Sequence, residues 1–225
     1  MKKQLERIRK AYDECIERYN GGIDSFVSVP QEFKESPEFS ALIEGGRHCN
    51  MGNPDIRKFL NPHPGMKFLD AGCGAGLVSY KLYEWPSTYH GIDISPATIE
   101  LMQAFLERQN IKTCGLKVAD LSSLPFSDDF FDIGACIGVL EYHGLPYVNL
   151  AVAELHRVCK SGSRFVLDIP NQNHEHYSTM IQLEEYLSRP HVPFTRGEFE
   201  KKLASYFKIA DIDDTKIMIK YYLNA

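Results

Sequence analysis

The sequence predicts an α/β fold, a mostly parallel sheet with helices on both faces, and three observations carry that prediction. Between residues 66 and 169, short apolar runs that end in acidic residues alternate with segments of helical periodicity. The run 131–137 is apolar at nearly every position, as a strand covered on both faces must be. The first run, ending in Phe68, Leu69 and Asp70, is followed by Gly72, Gly74 and Gly76, the composition that turns a buried strand tightly into a helix beneath a ligand.

The elements follow in order. In residues 2–19, Leu5, Ile8, Tyr12, Cys15, Ile16 and Tyr19 recur at three- and four-residue steps, the stripe of an amphipathic helix. That stripe covers the main domain, or Tyr12 or Tyr19 additionally lids a ligand. Gly21 and Gly22 break the chain, and residues 30–46 read as one short helix closed by Gly45 and Gly46. A further turn or two of helix spans 54–60, and Asn61, Pro62, His63, Pro64 and Gly65 form a stiff connector into the first strand. Helix resumes over 77–84 and stops at Trp85 and Pro86. Residues 88–93 make a second strand. Ser95 caps the next helix with Pro96 at its first position, and Ile99, Met102, Phe105 and Leu106 mark its buried face. A third strand spans 115–119 and the fourth 131–137. A helix over 150–159 and a turn at 160–163 lead to a strand over 164–169. Residues 171–188 lead into an inserted helix, and Thr195 with Glu198 forms a capping box on a helix through Tyr206. Residues 208–213 and 216–223 close the chain as an antiparallel hairpin at the sheet edge. The expected division is an N-terminal helical cap over 1–62 and one α/β domain over 63–225.

The glycines spell Gly-x-Gly-x-Gly. A dinucleotide fingerprint requires a further glycine where Leu77 stands. An acid at the first strand's carboxyl end, Asp70, suits an ammonium group and would repel pyrophosphate. Asp93 follows the first glycine by about 20 residues, the separation at which a carboxylate meets ribose hydroxyls.

On these residues, the segment 66–169 resembles the class I S-adenosylmethionine-dependent methyltransferases. The resemblance implies a Rossmann-like class I methyltransferase fold: a seven-stranded, mostly parallel sheet with an antiparallel edge strand, behind an N-terminal helical cap. It implies S-adenosyl-L-methionine as cofactor, with S-adenosyl-L-homocysteine as product. Asp70, Gly72, Gly74 and Gly76 would cradle the amino-acid end, Asp93 the ribose, and Ile94 would pack on the adenine. Asp120 would accept from the adenine amino group, beside the Leu121 N–H, and Cys136 would join the cofactor-binding set at the end of the fourth strand. Arg47 either pairs with the cofactor's carboxylate or is a surface arginine.

Leu140, Glu141, Tyr142 and His143 resemble a segment that lines the cleft beside the methyl group in small-molecule methyltransferases. Glu141 and His143 are therefore the candidate catalytic residues, with His143 as first choice for a base and His174 and His176 behind it. Enzymes that methylate amide or base nitrogens carry a Pro-Pro motif where Gly138, Val139, Leu140 and Glu141 stand here, so that class is disfavoured. The Ser161-Gly162-Ser163 turn departs from the family's usual Pro-Gly-Gly. Glu141, Asp168 and Asn171 could imitate a catechol-type magnesium set, but their spacing matches that set poorly, and no metal is expected. Two readings compete from outside: an NAD-dependent dehydrogenase, and a catalytically silent cofactor-binding subunit.

Bulk properties fit an ordinary globular protein. The 225 residues are 44% hydrophobic and 24% charged, and no run reaches the roughly 18 apolar residues of a membrane span. After Met1, Lys2 and Lys3 no apolar stretch follows, so no secretory signal is expected, and the six cysteines lack a Cys-x-x-Cys. A cytoplasmic location is the expectation. The net charge of −5 disfavours nucleic acid as partner. The expected partner is a small-molecule methyl acceptor, for a monomer or homodimer away from membranes.

Overall fold

The computed structural model describes residues 2–24, 26–46, 50–112 and 115–225. Seven strands of the described residues form one sheet: β1 (Lys67–Ala71), β2 (Thr88–Asp93), β3 (Gly115–Val118), β4 (Phe131–Cys136), β5 (Cys159–Pro170), β6 (Lys208–Asp213) and β7 (Met218–Asn224). Their order is β3-β2-β1-β4-β5-β7-β6. The first five pair in parallel, whereas β7 runs antiparallel between β5 and β6. The chain leaves β1 for β2 on one side and returns to β4 on the other. The carboxyl ends of β1 and β4 thus form the switch point at which open α/β sheets bind ligands.

Among the described residues, nine helices surround the sheet: α1 (Lys2–Asn20), α2 (Gln31–Lys34), α3 (Pro37–Gly46), α4 (Pro54–Leu60), α5 (Gly76–Ser79), α6 (Pro96–Arg108), α7 (Leu145–Val158), α8 (Tyr177–Tyr186) and α9 (Arg196–Leu203). One core joins the sheet to α7 and α9 through Val148, Val152, Leu155, Phe199 and Leu203, all fully buried. The other joins it to α4, α5 and α6 through Ile56, Leu60, Leu77, Ile99 and Met102. A third cluster packs α3 and α8 through Leu42, Leu183 and Leu187.

Several boundaries differ from the sequence expectation, each for a local reason. Residues 30–46 form two helices because Pro37 starts a new one, and Ser36 Oγ accepts from Phe39 N–H at 3.1 Å. The helix expected over 77–84 ends at Ser79. Lys81 adopts φ +50°, and the chain continues as a single 3₁₀ turn that sets Trp85 against Phe68 at 5.1 Å. Helix α7 begins five residues before the expected Leu150, with Pro146 in its first turn. The expected turn at 160–163 becomes a bulge within one long strand. There Phe131 pairs with Cys159 but Ile133 pairs with Arg164. The Thr195–Glu198 capping box on α9 and the antiparallel closing strands form as expected.

Candidate active site

The turn after β1 builds the floor of the site. Gly72 N–H and Cys73 N–H both donate to Ile92 O at 2.8 Å, which ties the turn to β2. At Gly72 the backbone has φ +78°, and a Cβ there would lie 2.3 Å from Val139 Cγ2, so only glycine fits. Gly74 N–H donates to Asp93 Oδ2 at 2.9 Å, and Ser95 N–H donates to Asp93 Oδ1 at 2.9 Å. Ile94 N–H also engages this carboxylate, so three backbone N–H groups hold it and only part of its acceptor capacity remains. Burial raises Asp93 above the usual carboxylate range, and the N–H groups of Ser95, Gly74 and Ile94 oppose that.

Asp70 is 3% exposed at the end of β1 and accepts from Tyr89 OH at 2.7 Å. Burial pushes its carboxyl up to about 7, against the lowering by that tyrosine. A buried acid with no cation beside it among the described residues is a fitting partner for an ammonium group. The residues present therefore fit the amino-acid and ribose ends of S-adenosylmethionine.

A cavity of about 230 Å³ opens over this floor. It is lined by Asp70, Gly72, Gly74, Gly76, Asp93, Ile94 and Leu121 of the expected cofactor set, and by His143 of the expected catalytic pair. Three expected residues lie off its wall. The Cys136 side chain points into the core between the sheet and α7, because alternate residues of β4 face opposite sides and this one turns from the ligand. Asp120 Oδ1 accepts from Ser122 N–H, Ser122 Oγ and Tyr147 OH, and the residue borders a shallow neighbouring groove. Glu141 is buried behind Gly138, packed with Asp168, and burial followed by the Asp168 charge raises its carboxyl well above the usual range. Gly138 N–H donates to Asp168 Oδ1 at 2.8 Å. Arg47 lies outside the described residues.

His143 is 5% exposed and stacks on Tyr147 with ring centroids 3.9 Å apart. Burial lowers it to about 4, against the raising influence of Asp120, so the imidazole is neutral at neutral pH. Its neighbours were less legible in the sequence. Tyr147 reaches the wall from the first turn of α7, whose start is flagged by Gly144 and Pro146. From α1, Ile8 and Tyr12 also line the cavity, whereas Tyr19 is 64% exposed. Tyr12 OH donates to Tyr142 OH at 3.0 Å, and Arg189 lies over the Tyr12 ring at 4.7 Å. His174 and His176 stand away from this cavity, His174 in a separate open groove. Asn171 Nδ2 is engaged by Asp214 O and Lys216 O, and no group of three or more metal-binding side chains occurs among the described residues.

Residues 62–216 match the methyltransferase domain family. The chain belongs to the class I S-adenosylmethionine-dependent methyltransferases. It is 29% identical over 193 residues to the sterol 4-C-methyltransferase strm-1 of Caenorhabditis elegans, covering 82% of this chain and 54% of that protein. The chain thus spans about half the length of that relative. A SAM-dependent methyltransferase from Methanosarcina mazei superposes with a TM-score of 0.60 at 22% identity, over 76% of this chain and 95% of the other. Geranyl diphosphate C-methyltransferase from Streptomyces coelicolor A3(2), solved with Mg2+, geranyl diphosphate and S-adenosyl-L-homocysteine, gives 0.65 at 14% identity, over 87% and 88% of the two chains. The family match sets the dehydrogenase alternative aside. Among the described residues, no helix is long and apolar enough to cross a membrane.

Proposed function

We propose that this chain transfers a methyl group from S-adenosylmethionine to a small, largely apolar acceptor held at the His143 end of the cavity. The observation that carries this reading is the joint placement of Asp70 and Asp93, both buried, on one cavity at the β1/β4 switch point. In this reading residues 1–62 are the cap over that cavity and residues 63–225 the catalytic domain.

When bound, S-adenosylmethionine supplies a methyl group already activated by its sulfonium. The protein's work is then alignment and proton handling, and alignment alone contributes about 7–11 kcal/mol of the barrier. Asp70 would pair with the ammonium, and Asp93 would offer its remaining acceptor capacity to the ribose hydroxyls. Leu121 and Ile94 would flank the adenine, with Asp120 toward its edge. His143, neutral and beside the cavity, accepts the acceptor's proton where the acceptor is an alcohol or amine. Glu141 lies behind Gly138, off the cavity, beside the Asp168 carboxylate that accepts from Gly138 N–H. Ile8, Met51, Val139 and Ile137 give the remaining wall its apolar character. The sterol named in the C. elegans relative supports an acceptor of that kind.

The test is incubation of the protein with methyl-labelled S-adenosylmethionine and a panel of sterols, isoprenoid alcohols, phenols and amines, followed by assay of labelled product. Label in a sterol or isoprenoid supports the reading. Label confined to amines would overturn the apolar acceptor, and failure to bind S-adenosylhomocysteine would overturn the whole.

A further inference from the structure

Asp13 of α1 stands well ahead of the family-matched residues 62–216, yet it enters the hydrogen-bond network of the cofactor floor. Four donors meet at the start of α6. Ser95 N–H donates to Asp93 Oδ1 at 2.9 Å, and Thr98 N–H donates to Ser95 Oγ at 3.0 Å. Ser95 Oγ–H donates to Asp13 Oδ1 at 2.6 Å, and Ala97 N–H donates to the same oxygen at 3.4 Å. Ser95 is fully buried, so its hydroxyl proton must find a partner within the protein.

Asp13 holds the Ser95 side chain, whereas Asp93 holds its backbone. Asp93 is two residues away and already holds the Ser95 backbone N–H. Without Asp13, rotation of the Ser95 hydroxyl toward Asp93 would take up acceptor capacity that its three backbone N–H partners leave for the ribose. We infer that Asp13 is a positioning residue for the cofactor site: by engaging the Ser95 hydroxyl it keeps the remaining acceptor capacity of Asp93 open to the ribose. This rests on the reading of Asp93 as the ribose acid. It also makes α1 part of the cofactor site, tied to it by Asp13 while Ile8 and Tyr12 form the wall above.

The test is calorimetric binding of S-adenosylhomocysteine and of its 2′-deoxyribose analogue. Alanine favours helix, so Asp13→Ala leaves α1 its backbone preference. Loss of one hydrogen bond to a charged group corresponds to about tenfold or more in affinity. Asp13→Ala is expected to weaken S-adenosylhomocysteine by that factor while changing the deoxy analogue by less than about twofold. Asp13→Asn, which keeps an oxygen for the Ser95 hydroxyl, restores binding. In a Ser95→Ala background the effect of Asp13→Ala disappears, because no hydroxyl remains to be diverted. Equal losses for both ligands, or an unchanged affinity, would overturn the inference: the first outcome would reduce Asp13 to a structural tie for α1. A wild-type protein that does not bind S-adenosylhomocysteine would fail the ribose reading itself, before any variant is compared.

Discussion

Asp70 and His143 share one cavity and respond to acid in opposite senses. Asp70 titrates near 7 against an ordinary 3.8. Between those values the folded protein holds a proton that the unfolded chain has lost. Its contribution to stability is thus fully present below the ordinary value and lost as pH rises through about 7. His143 titrates near 4 against an ordinary 6.5, so its contribution is present above 6.5 and lost as pH falls toward 4. Chemical denaturation across this window is expected to show Asp70→Asn removing the first trend and His143→Gln the second. Ligand binding reads Asp70 more directly. An ammonium favours the carboxylate, so affinity for S-adenosylhomocysteine should rise by up to about tenfold per pH unit from about 5.5 toward 7. Calorimetry on Asp70→Asn should show weaker binding without that slope. Asp93→Ala should abolish binding in the same assay while the fold persists, and retained affinity would remove Asp93 from the ribose. His143→Gln should lower turnover of a labelled acceptor and leave S-adenosylhomocysteine affinity unchanged.

At the scale of elements, the glycine turn is the least tolerant piece. Gly72→Ala must place a methyl group 2.3 Å from Val139 Cγ2 at φ +78°. Positive φ alone costs a non-glycine residue about 1–2 kcal/mol, and the clash adds to it. A melting midpoint lower by roughly 4–8 °C is expected, together with lost cofactor binding. This turn was legible because strand, acid and alternating glycines are a local pattern, and the Thr195–Glu198 cap was legible for the same reason. The early end of α5 was not. Nothing in Ser79, Tyr80 and Lys81 marks a helix stop, and the break is imposed by Trp85 packing on Phe68. Nor did alternation along β4 suffice to orient Cys136, because an apolar run with both faces buried gives no sign of which residues face the ligand.

For the molecule as a whole, the sheet order follows from sequence-local elements joined by parallel crossovers, which is why the order of apolar runs carried so much of the fold. What the sequence left open is the set of contacts made across long separations. Tyr12 meets Tyr142, Asp13 meets Ser95, and Glu141 meets Asp168, each pair brought together only by the docking of α1 or the turn after β4. Amphipathic periodicity announced that α1 would be covered on one face but left open whether Tyr12 or Tyr19 lids a ligand; Tyr12 lines the cavity and Tyr19 is exposed.

The most direct test of the account is thermal unfolding of the protein alone and with S-adenosylmethionine, S-adenosylhomocysteine or NAD. A ligand at a hundred times its dissociation constant adds about 2.7 kcal/mol, which for a chain of this size raises the midpoint by roughly 5–10 °C. The account predicts that shift with both sulfur compounds and none with NAD. A shift with NAD alone, or no shift with either sulfur compound, would contradict it.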